Sequence, residues 1–442
     1  FKKNFEDLEK VAINKRIDIF KPDLVFTHNP KIFKSNSKIK IVNFKKFDFE
    51  KIIKHKDNKV DYFSSNKSIF TLFTSGSTGE PKGVVHSTGG YALFTMMTCN
   101  TKFGLKENSI ILTASDAGWI NGHTYSLIGP LLIGSTTVLL SKPTFLLQSK
   151  ILILLLSLKL TILYLPVTLI RLLRAINNKK QFKKHKLKTL GSMGEPLAKD
   201  VGDWFAKKFN LKQRAIVNTY YQTETGGIIC SPSFKDSSKT FPHGSIGNTI
   251  SNHVKITSFN KTKKEFKILS PWPGCMKKLL NGNSEYQKYW DKNGNFRMFD
   301  LASKLNKKIY VHGRIDDVIN IRGHRIGSEE IETVLLSLKG VVEVAAVAVD
   351  DELEGKCIYI FLVSKRRIDS IIEKKINQNF GTFALPKKIV YLSELPKTRS
   401  GKILRRILRN ITDDPRITQN TDVSTIMNKS VLKEIKYRVT QK

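Results

Sequence analysis

Acidic residues are scarce in this chain, with 38 Asp and Glu against 75 Lys and Arg, a formal net charge of +37 over 442 residues. Such an excess admits a nucleic-acid or anionic-membrane partner. The lysines are dispersed, however, and the densest run (179–188) falls between an expected helix and an expected strand, where a solvated loop explains it. A single-strand-binding protein would need clustered aromatics among the lysines, and neither a nucleic-acid nor a membrane partner is expected. Cysteine is scarcer still. Cys99, Cys230, Cys275 and Cys357 are far apart with no C-x-x-C, which excludes a disulfide framework and a cysteine-based zinc site and fits a reduced, cytoplasmic protein. The nine histidines form no H-E-x-x-H. No signal-peptide pattern opens the chain. Long apolar runs are limited to residues 151–170. Lys159 and Pro166 interrupt that run, and it is expected to be a helix end (151–158), a buried strand (160–165) and a new helix entered at Pro166.

What is present begins with residues 73–84, FTSGSTGEPKGV. Ser75, Gly76, Ser77, Thr78 and Gly79 can turn backbone N–H groups and hydroxyls toward one anion. The β-prone run 68–74 before them predicts that this loop leaves a buried strand. It is not a Walker A loop, because Pro81 precedes Lys82 and Gly83 follows it. A Ser/Gly linker is the plainer reading, and the flanking strand and the Pro-Lys-Gly ending argue against it.

Length and periodicity predict at least two domains. Residues 1–315 alternate short β-prone runs with helical patterns, an α/β architecture with largely parallel sheets. Residues 316–410 read as a small α+β unit. Its helix is capped by Ser328 with Glu329 and Glu330 in the first turn, followed by strands over 341–349 and 357–363, a helix over 368–379, a strand over 388–392 and a basic helix over 403–409. Residues 411–442 are polar and expected to fray.

Four motifs follow one another: the 73–84 loop, residues 218–227 (NTYYQTETGG), residues 313–327 (GRIDDVINIRGHRIG) and residues 395–403 (LPKTRSGKI). Residues 115–123 (SDAGWINGH), 191–196 (GSMGEP) and 270–274 (SPWPG) add to them. In this order they resemble the AMP-forming acyl-CoA synthetases of the adenylate-forming superfamily, most of all the acetyl-CoA synthetase branch. The resemblance implies an acid–thiol ligase that joins a small carboxylate to AMP at the expense of ATP and passes the acyl group to CoA. It also implies that a long segment, which the family carries ahead of this point and which holds part of its CoA surface, lies outside the chain. The expectation is an N-terminally truncated large domain, and an inactive fragment is an alternative.

By the same resemblance, Thr74, Ser75, Gly76, Ser77, Thr78, Gly79 and Lys82 cradle the ATP phosphates. Glu224 holds Mg²⁺, an ion that suits few carboxylates plus phosphate oxygens. Thr223 and Gln222 approach the α-phosphate, within the ATP-binding run Asn218, Thr219, Tyr220, Tyr221. Tyr220 stacks on adenine opposite Gly194, Glu195 and Pro196, Asp300 and Arg314 hold the ribose, and Arg325 approaches the phosphate. Lys402 meets the carboxylate and α-phosphate as the catalytic cation, and its context resembles relatives regulated by a lysine acetyltransferase and deacetylase. Asp316 is the hinge about which the small domain turns between half-reactions.

Arg322, Gly323 and Leu165 fall at the CoA channel. Arg322 and Leu165 depart from usual small residues, and Asn377 stands where a basic contact is usual. Phe299, before Asp300, departs from a usual glycine. Trp119, Ile120, Asn121, Met193 and Tyr221 line the acyl pocket. Tyr221 stands where acetate-specific relatives have tryptophan, while Ile120 and Met193 exceed the usual valines. Acetate is expected first and propionate second, since one methylene discriminates by only about 1–3 kcal/mol.

Overall fold

The computed structural model describes residues 10–441 except 11–12, 34–38, 48–49, 51–60, 76–80, 177–181, 183–184, 196, 243–244, 251–263, 270–271, 281, 307, 316–317, 322–323, 352–354, 399–402, 414–425 and 427.

The run at 151–170 resolves as expected into the helix Ser149–Ser157, the strand Ile162–Pro166 and the helix Val167–Ala175. All five strand positions are buried, as an interior strand of a parallel sheet covered on both faces requires. It is central to a five-stranded parallel sheet in the order Thr136–Val138, Ile110–Thr113, Ile162–Pro166, Thr189–Met193, Val217–Asn218. Alternation sorts its side chains. Leu163 and Leu165 join the apolar layer of Leu152, Ile170 and Phe205, whereas Ile162 and Tyr164 face Phe103, Tyr125 and Met193 on the other side. No helix among the described residues is long and apolar enough to cross a membrane.

The α/β reading stands, but among the described residues before 315 parallel pairing is confined to this sheet and to Leu24–Thr27 with Lys40–Asn43. The other sheets before residue 315 are antiparallel. Ser68–Ser75 pairs with Pro81–Ser87, placing Thr74 opposite Lys82 and Ser75 opposite Pro81, and Lys278–Leu279 adds to the same sheet. Strands therefore flank the glycine-rich segment on both sides, paired with each other. A further sheet orders Lys264–Ile268, Phe296–Leu305 and Lys308–Arg314. In the middle strand Phe296, Met298, Asp300 and Ala302 are buried while their neighbours are half-buried.

Downstream, Val318–Ile321 and His324–Gly327 form a hairpin that leads into the helix Ser328–Leu336. The strands Val341–Asp351, Gly355–Ser364 and Lys388–Tyr391 make one mixed sheet. One of its faces carries Ile358, Ile360, Ile372 and Ile376, the other Val347, Phe361, Ile407 and Leu408. Two expectations are corrected. Ser328 is inside its helix and does not cap it; the Glu330 carboxylate instead accepts from the Gly327 N–H at 3.0 Å, answering one of the donors a helix start leaves open. Fraying does not extend over the whole of 411–442. Val431–Thr440 is a helix that buries Val431, Leu432 and Ile435, and its Glu434 accepts from the Ser393 N–H at 3.0 Å. The polar composition of the segment hid an apolar stripe at helical spacing.

Candidate functional site

The candidate site forms beyond the C-terminal ends of the parallel strands, where open α/β sheets place their ligands. Val217–Asn218 ends there, and the chain continues through Thr219, Tyr220, Tyr221 and Gln222 into the short 3₁₀ turn Thr223–Thr225. The turn is fixed from three sides. The Thr223 carbonyl accepts from His86 Nε2 at 2.8 Å, the Glu224 carbonyl from the Met276 N–H at 2.9 Å, and the Thr225 carbonyl from the Trp272 indole at 3.0 Å. Gly226 closes it at φ +72°, where an added Cβ would lie 2.3 Å from the Gly274 carbonyl oxygen. With its backbone held, Glu224 presents its carboxylate at a set place. One oxygen accepts from Tyr289 OH at 2.9 Å. Lys82 stands nearby, 3.3 Å from Glu285 and 5.6 Å from the Tyr289 ring centroid.

Asp300 collects the second group of contacts. It is a carboxylate in the inward, otherwise apolar row of its strand and is 6% exposed. Such a position costs stability unless the charge is matched. Tyr220 OH and the Gln222 amide donate to it, the latter at 2.7 Å, and Arg314 lies opposite in the ladder with Nε at 3.9 Å. Burial, with Asp300 adding to it, holds the Tyr220 hydroxyl protonated far above the usual range. The structure thus brings together Tyr220, Gln222, Asp300 and Arg314, with Glu224 on the same turn as Gln222.

Asn218 and Thr219 serve the scaffold. Asn218 bonds Ser192 and the Ser245 carbonyl, and Thr219 donates to the Ser192 carbonyl at 2.9 Å. Gly194 has φ +89° and open space where a side chain would be. The carboxylate of Glu195 is engaged by Arg171, so the loop is left with its backbone for a ligand. In the expected acyl pocket, Tyr221 touches both the apolar group of Leu72, Tyr91 and Ile120 and the one containing Tyr125, Tyr164 and Met193. Its hydroxyl is 3.3 Å from that of Tyr164, its ring stands edge-on to Tyr125 at 5.5 Å, and the Asn121 amide donates to the Met193 sulfur. Trp119 immediately precedes the short helix Ile120–His123.

Leu165 is not brought to the site. It is wholly buried in the apolar layer on the far face of the sheet, because strand alternation turns it away from Tyr164 and Met193. The expectation of a CoA contact there is not met. Gly76, Ser77, Thr78, Gly79, Pro196, Asp316, Arg322, Gly323 and Lys402 lie outside the described residues, as do the side chains of Ser75 and Arg325. Sequence reading missed His86, Trp272, Tyr289 and Arg171. Trp272 belongs to a motif that had been singled out; the others carry no local signal.

His86 yields a pH prediction. Burial, with a smaller effect from His123, lowers its pKa to about 4, against the opposing Thr223 and Gly274 backbone contacts. The native state therefore keeps the ring neutral where the unfolded chain takes up a proton near 6.5. Stability from this group is present above about pH 6.5 and is lost as pH falls toward 4, about 3 kcal/mol in full. Denaturant unfolding between pH 7.5 and 5 should show this slope, and His86→Gln should flatten it. An equal slope in the variant would contradict the assignment.

The AMP-binding enzyme family matches residues 10–266, and the AMP-binding enzyme C-terminal domain matches residues 330–402. The chain belongs to the AMP-binding enzyme family. It is 36% identical to an acetyl-coenzyme A synthetase of Phycomyces blakesleeanus over 84% of this chain and 58% of that protein. It is 34% identical to one of Psychromonas ingrahamii over 83% and 59%. The chain thus spans about six tenths of the length of the curated relatives it matches. Among solved structures, an anthranilate CoA ligase with anthranoyl-AMP superposes with a TM-score of 0.78 at 18% identity, covering 91% of this chain and 81% of that one. An ATP-bound MatB of Rhodopseudomonas palustris superposes at 0.77, also at 18% identity, covering 92% and 82%. These likenesses show that the chain shares the fold of those proteins.

Proposed function

We propose that this chain carries the adenylating site of an AMP-forming acid–CoA ligase acting on acetate, with propionate as the next substrate. The observation that carries the reading is the buried Asp300, gathering Tyr220, Gln222 and Arg314 beside the anchored Glu224 turn. A carboxylate and a guanidinium facing each other across a ladder suit a ribose diol, and Tyr220 offers a ring to a base. Thr74 and Lys82 flank the loop 76–80, which would enclose the phosphates, while Thr223 and Gln222 approach the α-phosphate. The described residues contain no cluster of three metal-ligating side chains. One carboxylate, Glu224, with phosphate oxygens and water, fits Mg²⁺, which would offset phosphate charge. Binding both anions side by side lets a carboxylate oxygen attack the α-phosphorus as pyrophosphate leaves. The CoA sulfur then attacks the acyl carbonyl and AMP leaves. Residues 316–410 would turn as a small domain about Asp316, bringing Lys402 for the first step and the region of Arg322, Gly323 and Arg325 for the second. Acetylation of Lys402 would remove its charge and block the first step.

The test is carboxylate-dependent exchange of pyrophosphate into ATP across straight-chain acids. Tyr221 packs against the groups containing Ile120 and Met193, where it would form the pocket floor, so Tyr221→Gly should shift the optimum to longer acids. Each newly buried methylene should gain about 0.8 kcal/mol in kcat/KM. Tyr221→Trp should favour acetate over propionate. No exchange with any acid contradicts the proposed function, and an unchanged preference in both variants removes Tyr221 from the pocket.

A further inference from the structure

Phe299 has φ +55°. That region is the left-handed one, where a bulky side chain is an outlier and glycine the usual occupant. Such an outlier persists only where its surroundings enforce it, and it calls for a reason. The residue lies immediately before Asp300, and its carbonyl accepts from the Ile315 N–H at 2.8 Å, next to Arg314. Its ring meets three side chains. Tyr289, which donates to Glu224, stands edge-on at 5.3 Å and 87°. The Arg297 guanidinium is 4.7 Å from the ring centroid and is itself held by both oxygens of Glu265. The Arg314 guanidinium is 5.8 Å away.

We infer that Phe299 is a positioning residue of the nucleotide site, its ring setting Arg314 against Asp300 and Tyr289 against Glu224. The inference rests on the proposed function, since it takes those two pairs as the ribose and metal–phosphate contacts. The left-handed backbone aims the ring into the space between the pairs, and the cation–π and edge contacts hold both partners in a single rotamer. Arg297, tied to Glu265, makes the ring a fixed support. A residue without an aromatic ring would remove this cation–π support from Arg314, whose side chain is 37% exposed.

Three variants of the full native protein test this. Phe299→Leu keeps the strained backbone and removes the ring, Phe299→Gly removes the ring and relaxes the backbone, and Phe299→Tyr keeps the ring. Calorimetric binding of ATP with Mg²⁺ should weaken about tenfold in both Phe299→Leu and Phe299→Gly, with Phe299→Tyr near the unaltered protein. The KM for the carboxylate should not move in any of them. The two ring-less variants should diverge in thermal stability, because only the glycine relieves the backbone, while agreeing in ATP affinity. A purely structural ring would make affinity follow stability. ATP affinity within about twofold of the unaltered protein in Phe299→Gly overturns the inference alone. An unaltered protein that binds no ATP overturns the nucleotide-site reading and this inference with it.

Discussion

Lys402→Ala is expected to lower carboxylate-dependent pyrophosphate exchange by about 10²–10³-fold, the usual cost of removing one preorganised charge from a transition state. Thioester formation from supplied acyl-adenylate should stay close to that of the unaltered protein. The reason is local. On either side of residues 399–402, Lys397 and Ile403 form an antiparallel bridge. Lys397 is tied to Glu343 at 2.6 Å, the Leu404 N–H donates to the Pro396 carbonyl at 2.9 Å, and Ile403 is buried. With both flanks fixed to this unit, Lys402 would reach the reacting groups only if the whole unit turned toward them, as the proposed two-step cycle requires. The helix that follows is anchored as well: Arg405 pairs with Glu332 at 2.5 Å. Measuring the two half-reactions separately decides the matter. Equal loss of both would show that Lys402 serves the fold or both steps, contrary to a lysine used in one arrangement only.

Asp300→Ala should be nearly as damaging, through binding. It removes the acceptor shared by Tyr220 OH and the Gln222 amide and the anion facing Arg314. Each buried donor left without a partner costs about 1–3 kcal/mol, so ATP affinity should fall by about 10²-fold or more, with a lower Tm. Gln222 keeps its bond to the Met298 carbonyl at 2.6 Å, so the turn should persist and carboxylate KM should change little. Asp300→Asn retains one acceptor oxygen and should be intermediate. Unaltered ATP affinity in Asp300→Ala would remove this carboxylate from the nucleotide site.

Part of the site was readable in advance. Asp300 and Gln222 were singled out by resemblance to family motifs, and Glu224 also as an acid in a glycine-bounded turn. The three pieces of the 151–170 run were readable because Lys159 and Pro166 mark the breaks. Residues that act through a distant backbone carbonyl were not. His86 meets Thr223 across 137 positions, and its own strand holds no sign of that. Tyr289 stood among other aromatics that pack only as core. Leu165 misled because its motif position says nothing of which sheet face it takes, and a buried strand turns alternate residues apart. Phe299 stands where the resembled family usually has glycine, and its backbone is left-handed, held by contacts around its ring. The helix Val431–Thr440 was hidden because its apolar stripe is short and its composition polar.

The central claim is that this site joins a carboxylate oxygen to the α-phosphorus of ATP. Supplying acetate labelled with ¹⁸O in both carboxyl oxygens, together with ATP, Mg²⁺ and CoA, and recovering the AMP for mass spectrometry, tests it most directly. AMP carrying a single ¹⁸O is expected, because the oxygen bonded to phosphorus in acyl-AMP stays with AMP when the thiol attacks the carbonyl. Thioester formed with unlabelled AMP, or with the label in inorganic phosphate, would contradict it.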